Sequence, residues 1–281
     1  MTATGYRFTL AAFGDEIAAD LAEQLDTMRA HHIPALEFRG AWGQNILDLA
    51  DDDVRRAKGL LDEREMHVSA IGSPIGKVKI TDDFAAHLVR FRRALAVAAM
   101  LDAPRIRVFS FFYPHGEDPA QYRTAVLDRM TMLTDLAAEA GVTLYHENEK
   151  DIYGDIATRC ADLHHSIPSP HLRAAFDPAN FIQCGVQPMA EAWPMLAEFS
   201  SHIHIKDAVM ADKHVVPAGE GDGQIRDLLK TLMERNYRGY LTLEPHLKAA
   251  GPFGGFSGPE LFGTAVAALN TCLADVGGKA G

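Results

Sequence analysis

At 281 residues the chain suits one large α/β domain or two ordinary ones, and 47% hydrophobic with 23% charged residues describes a globular protein with a sizeable core. Acidic residues outnumber basic ones 38 to 27, a formal charge of -11 with no Lys/Arg-rich run, which argues against nucleic acid as a partner. Cys160, Cys184 and Cys272 are odd in number and lack CxxC spacing, no apolar run approaches a membrane span, and residues 1–10 lack a secretion-signal pattern; the expectation is a soluble cytoplasmic protein with reduced thiols and no membrane partner.

In chain order, residues 6–13 read as a strand and residues 20–31 as a helix, with Leu21, Leu25 and Met28 at helical spacing. A strand at 35–38 precedes a helix that Asp51 caps and that runs to about residue 65. Strands at 67–71 and 105–109 flank an Ala-rich helix at 82–101, and a helix at 119–140 stops at Gly141. The second half repeats the alternation: strands at 142–146, 172–176, 202–205 and 240–243, each followed by a helix, at 155–165, 188–199, 224–235 and 259–275. Eight strands alternating with eight helices predict an α/β (β/α)8 TIM barrel, a single domain over 1–281, rather than an open doubly wound sheet. The absence of GxGxxG or GxxxxGK(S/T) after the first strand agrees. No linker or low-complexity segment divides the chain. The irregular stretch 247–258 interleaves Gly251, Gly254, Gly255 and Gly258 with Phe253 and Phe256, and a long loop of this kind is expected to act as a lid over a ligand.

Four of the later strands stop at a residue able to bind a metal: Glu147, Asp177, His204 and Glu244. The steps between them are 30, 27 and 40 residues, each about one βα unit, so the four sit at equivalent strand ends. In an α/β barrel those ends converge on the face that carries the active site. Three carboxylates and one imidazole without a thiolate suit Mn2+, Mg2+, Co2+ or Zn2+ rather than a purely structural zinc. One strand-end carboxylate is ordinarily a helix cap or a loop acceptor; four at matching ends are hard to explain that way.

These stretches resemble the sugar phosphate isomerase/epimerase family, the xylose-isomerase-like barrels. The resemblance runs from Phe13-Gly14-Asp15-Glu16 through Leu36-Glu37-Phe38-Arg39. It is most specific in Glu147-Asn148-Glu149, Phe176-Asp177-Pro178-Ala179-Asn180, His204-Ile205-Lys206-Asp207 and Leu243-Glu244-Pro245. It implies that Glu147, Asp177, His204 and Glu244 bind one divalent ion, Mn2+ foremost, and that Glu147 and Glu244 are the catalytic groups that move protons on a small-molecule sugar or polyol. The physical chemistry supports that division. A metal chelating a carbonyl and its neighbouring hydroxyl stabilises an enediolate, and two carboxylates flanking the substrate serve as base and acid. Return of the proton to the opposite face gives an epimer, and return to the adjacent carbon gives the aldose–ketose isomer.

Asn180, Lys206, Glu37, Arg39 and His115 are the expected substrate-binding residues, lying at or near strand ends. Many members of the resembled family carry His where this chain has Asn180, and Lys206 and Asp207 are candidates either for substrate contact or for a structural ion pair. His31, His32, His87, His164 and His165 fall on helices or their ends and read as surface residues. Gly219-Glu220-Gly221-Asp222-Gly223 follows the seventh strand, where many barrels bind phosphate, but Glu220 and Asp222 would repel one, so an unphosphorylated substrate is expected. The same residues leave open a lyase or dehydratase acting on a keto-inositol or keto-sugar, a C-glycoside-cleaving subunit, a non-enzymatic sugar-binding or scaffold subunit, and a homo-oligomer. Endonuclease IV-like DNA repair is disfavoured by Ser73 and Ser110 after the third and fourth strands, by Asn180, and by the net charge.

Overall fold

The computed structural model describes residues 6–248 and 256–281. Strands β1 (Tyr6–Phe13), β2 (Ala35–Phe38), β3 (His67–Gly72), β4 (Arg105–Val108), β5 (Thr143–Glu147), β6 (Leu172–Phe176), β7 (Ser200–Ile205) and β8 (Tyr240–Leu243) pair in parallel in that order, and β8 returns to β1. The registers Phe13↔Glu37, Glu147↔Ala175, Leu243↔Ile205 and Ala12↔Leu243 close the ring. A short tail strand, β9 (Gly278–Ala280), pairs with the start of β1. Helices α1 (Leu21–Ala30), α2 (Asp51–Asp62), α3 (Phe84–Met100), α4 (Arg123–Glu139), α5 (Ala157–Ser166), α6 (Pro178–Gln183), α7 (Trp193–Leu196), α8 (Ile225–Glu234) and α9 (Gly258–Asp275) connect the strands. The expected barrel is therefore present, and among the described residues no helix is long and apolar enough to cross a membrane.

Alternation along each strand sorts two chemistries. Leu10, Leu36, Ile106, Leu144, Phe176, Ile203 and Leu241 belong to the hydrophobic layer shared with the helices. Their neighbours Glu37, Arg107, Glu147, His202, His204 and Thr242 are buried and polar, and they meet one another inside the barrel. Most barrel interiors are filled by branched apolar side chains; this one carries a column of ionisable groups up to its C-terminal mouth.

The expected helix at 188–199 runs unbroken over residues 188–196 and is not the first after β6. Asp177 instead caps the six-residue α6 immediately after β6, with Pro178 in its first turn, and the chain then passes through a π-turn at Pro188–Ala192 into α7. Pro188 opens this run, and the backbone stays helical through Ala192 and Trp193 past Pro194. Hairpins at Gly40–Ala41 with Gln44–Asn45 and at Asp207–Ala208 with Val215–Val216 decorate the mouth. His87 and His164 are not surface residues: both are buried. His87 accepts the Gly76 N–H at 3.1 Å, and His164 stacks on Phe199 at 5.0 Å. Of the expected lid, residues 249–255, including Gly251, Phe253, Gly254 and Gly255, lie outside the described residues.

The loop after β3 lies against the end of β4, with Phe109 N–H donating to Ile75 O at 2.8 Å and Phe111 N–H to Gly76 O at 3.0 Å. Gly76 has φ +87°, and a Cβ there would fall on the carbonyl of Phe109. Gly76→Ala is expected to cost about 2–4 kcal/mol from left-handed backbone strain plus overpacking. Urea unfolding checks this; an unchanged midpoint would show that the loop adapts without cost.

Candidate active site

The strand ends bring Glu147, Asp177, His204 and Glu244 together, each at most 3% exposed, with one ligand atom from each within 4.8 Å of the others. His204 Nδ1 lies 3.3 Å from Glu147 Oε1, 3.4 Å from Glu244 Oε2 and 3.8 Å from Asp177 Oδ2, and it makes no hydrogen bond of normal geometry. Donors around a divalent ion at about 2.1 Å stand roughly 3–4 Å apart, so the spacing and the donor set fit such an ion.

The scaffold holds each group from a different direction. Asp177 accepts the Asn180 N–H through Oδ1 at 2.9 Å as the cap of α6. Asn148 locks the ends of β5 and β6 together, donating from Nδ2 to Asp177 O and accepting the Asp177 N–H, both at 2.9 Å. Arg107 donates to Glu147 Oε2 at 2.8 Å, Asn180 Nδ2 to Glu147 Oε1 at 3.0 Å, and Arg39 to Glu244 Oε1 at 3.2 Å. Lys206 Nζ bridges Asp177 Oδ2 at 2.8 Å and Glu244 Oε2 at 3.1 Å. Beneath the cluster, Glu37 Oε2 sits 2.6 Å from His202 Nε2 and 3.3 Å from His204 Nε2, so Glu37 faces the rear nitrogen of the imidazole.

The charges shift accordingly. Burial pushes Glu147 up, but His204 and Arg107 outweigh it and hold the carboxyl at about 2. Burial likewise opposes ionisation of Glu244, which Lys206, His246 and His204 overcome. Asp177 is raised, because burial exceeds the pull of Lys206. Burial disfavours a charged His204, yet Glu147 and Glu37 raise its pKa well above the usual range. Without a metal, the proton on His204 supplies part of the positive charge the carboxylates demand.

A cavity of about 520 Å3 opens above the cluster. Arg39, Asn180 and Lys206 line it with Glu147 and Glu244, whereas two expected lining residues lie elsewhere. Glu37, fully buried, sits under His204, because its alternation on β2 turns it into the barrel below the mouth. His115 lines a separate cleft of about 860 Å3 with Tyr113, Glu117 and Asp151, carried outward by the loop after β4. Asp207 is also withdrawn from the cavity, accepting the N–H groups of Gly219, Gly221, Gly223 and Ala208 at 2.8–3.1 Å. The glycine amides after β7 are thus spent on the chain's own carboxylate.

Arg107, Glu16, His246 and Lys77 were missed in the sequence. Arg107 had a signal: charged residues at 105 and 107 alternate with Ile106 and Val108, which marks an inward-facing charge on a strand buried on both faces. Glu16 lay in a stretch that carried the resemblance, but its partners His246 and Ser257 lie 230 and 241 residues away, so nothing local marked its place at the mouth.

Residues 25–272 match the family described as xylose isomerase-like TIM barrel. The chain belongs to that family. A curated protein, fructoselysine 3-epimerase of Escherichia coli O157:H7, is 29% identical over 122 residues, 42% of this chain and 43% of that protein, so the match spans less than half of the relative. Among solved structures, a D-tagatose 3-epimerase-like protein superposes with TM-score 0.75 at 18% identity, covering 95% of this chain and 98% of the other. A probable 3-DHS dehydratase of Bacillus anthracis superposes with TM-score 0.73 at 14% identity, covering 94% and 98%. These likenesses establish the fold, a xylose isomerase-like TIM barrel.

Glu16 supplies a measurable consequence of the crowded mouth. Burial, with repulsion from Glu244 and Asp15 added, outweighs Arg39 and raises its pKa to about 8. A folded state that holds this proton more tightly than the unfolded chain loses stability as pH rises from about 4.5 to 8. In the metal-free protein, Glu16→Gln is expected to flatten part of that slope, by on the order of a few kcal/mol across the window. Urea midpoints at pH 5 and 8 test it; identical slopes in the two proteins would remove Glu16 as the source.

Proposed function

We propose that this barrel is a divalent-metal-dependent epimerase or isomerase of keto sugars or related polyols. The observation that carries the reading is the convergence of Glu147, Asp177 and Glu244 on the unpaired Nδ1 of His204, at the floor of a cavity lined by further polar groups. Those four residues would hold the ion, with Mn2+ favoured by the mixed oxygen and nitrogen set. When bound, the ion supplies Lewis-acid stabilisation of the charge that develops as a C–H beside a carbonyl loses its proton.

The rest of the work falls to the chain. Glu147 and Glu244 approach from β5 and β8, three strands apart around the barrel, and so flank a substrate lying on the floor. Arg107 and Arg39 fix one oxygen of each and keep both ionised, ready to take a proton on one side and return it on the other. Lys206 and Arg39 offer donors to substrate hydroxyl and carbonyl oxygens, while Asn180, whose Nδ2 hydrogens are spent on Glu147 Oε1 and Asn148 O, offers its Oδ1 as an acceptor. Glu37 holds the Nε2 side of His204 so that Nδ1 faces the carboxylates, the carboxylate–histidine arrangement common behind metal ligands.

Deuterium uptake from D2O into ketoses and 3-keto sugars, read by mass spectrometry, tests the reaction. Uptake without loss of water is expected, and Glu147→Gln or Glu244→Gln should lower it about 10^2- to 10^4-fold. Uptake coupled to loss of water would replace epimerisation with a lyase reaction. Asp177→Ala and His204→Ala should abolish stoichiometric metal in elemental analysis, and Glu37→Gln should weaken metal affinity about 10- to 100-fold; full occupancy in the first two would sink the site.

A further inference from the structure

The wall of the cavity formed by the loops after β3 and β5 has a chemistry that a neutral sugar does not require. Lys77 is held there between two groups: its Nζ lies 2.9 Å from Glu149 Oε2 and 4.3 Å from the centre of the Phe109 ring. The other face of the same positive wall is Arg107, whose guanidinium carbon lies 4.6 Å from that ring. Glu149 is committed to the wall itself: its Oε1 accepts the backbone N–H of Lys150 at 2.9 Å and its Oε2 holds Lys77, so it offsets one of the two ammonium charges there. An ammonium has three donors, and one contact to Glu149 leaves Lys77 with donors free for the cavity. Lys150, exposed beside it and also lining the cavity, adds a second ammonium. Elsewhere the lining beyond the floor is neutral, with the amides of Asn45 and Gln183. Two ammoniums against one carboxylate leave this wall with a localised net positive charge.

Size points the same way. At about 520 Å3 the cavity is in the range that encloses a drug-sized ligand, more than one six-carbon sugar fills. With the reacting carbons on the floor between Glu147 and Glu244, the remainder of a larger substrate extends along a wall that ends in Lys77 and Lys150. A phosphate is the poorer match, since the backbone amides suited to a dianion are taken by Asp207.

Resting on the epimerase reading, we infer that the substrate is a keto sugar bearing a carboxylate away from the reacting carbons, as a sugar acid or as an amino acid joined to a ketose, and that Lys77 with Lys150 binds that carboxylate. Calorimetry on the metal-loaded chain at low salt, with D-fructose, D-fructuronate, a glycine-substituted 1-deoxyfructose and D-fructose 6-phosphate, tests it. At least one carboxylated probe should bind about tenfold or more tighter than D-fructose, as expected for one charge-assisted contact that is partly screened, and which of the two does so identifies the source of the carboxylate. Lys77→Gln should lose most of that preference and Lys77→Arg should keep it. Equal binding of D-fructose and both carboxylated probes, tighter binding of the phosphate, or a preference untouched by Lys77→Gln overturns the inference. The two readings fail separately: solvent exchange on neutral ketoses with no carboxylate preference sinks this one alone, and a Lys77-dependent preference without exchange sinks the epimerase alone.

Discussion

The interaction on which this structure depends is the mutual repulsion of carboxylates enclosed at the mouth of the barrel. Glu147, Asp177 and Glu244 surround one imidazole, with Asp15, Glu16 and Glu37 close behind, and burial removes the water that would screen them. Much of the local architecture answers that charge. Arg39 spans Asp15 and Glu244, Arg107 takes Glu147, and Lys206 bridges Asp177 and Glu244, all three buried. Phe13 provides a face for both arginines, at 4.7 and 5.4 Å from its centre, and so lets guanidinium groups cross an interior that cannot hydrate them. What compensation remains outstanding is concentrated at His204, which is why its pKa rises and why a cation has a reason to bind there.

The same logic explains the turn after β7. Five residues containing three glycines follow β7 where many barrels bind phosphate, and Glu220 and Asp222 argued in the sequence against one; in the structure Gly219, Gly221 and Gly223 point their N–H groups at the carboxylate of Asp207. Burial raises the pKa of Asp207 against the pull of those amides, so the loop and the acid stabilise each other only while the loop keeps its shape. This occupation fixes the segment that follows Lys206, and it leaves the recognition of any substrate anion to side chains elsewhere on the rim.

The order of strands and helices was legible because period and breaker residues survive in every unit, and the clustering of Glu147, Asp177, His204 and Glu244 was legible because each ends an apolar run. What the sequence concealed were partnerships. Glu37 is a strand-end acid like the others, and only the register of β2 against β3 and β1 sets it below His204 rather than beside the cavity. His115 looks equally placed but leaves with its loop. The buried positions of His87 and His164 depend on Gly76 and Phe199, residues of other elements. The helix expected at 188–199 ends at Leu196, and the short α6 before it went unread because Asp177 caps it directly after the strand.

The carboxylates also share a division of labour between their two oxygens. Asp177 gives Oδ1 to the cap of α6 and turns Oδ2 toward the cluster. Glu147 gives Oε2 to Arg107 and turns Oε1 toward His204; Glu244 gives Oε1 to Arg39 and turns Oε2 the same way. Glu16 spends Oε2 on the His246 N–H and the Ser257 hydroxyl, leaving Oε1 buried without a hydrogen bond. One oxygen therefore belongs to the fold and the other to the site, and the position of the second is set by the bonds of the first. That arrangement delivers preorganisation without extra elements, because a side chain held at one end has little rotamer freedom left to lose when a ligand arrives. It also means that truncating such a residue to alanine removes a structural bond together with a ligand atom, whereas a carboxamide of the same shape keeps an acceptor and sheds the charge. The difference between those two substitutions at one position separates what the acid does for the barrel from what it does for the chemistry.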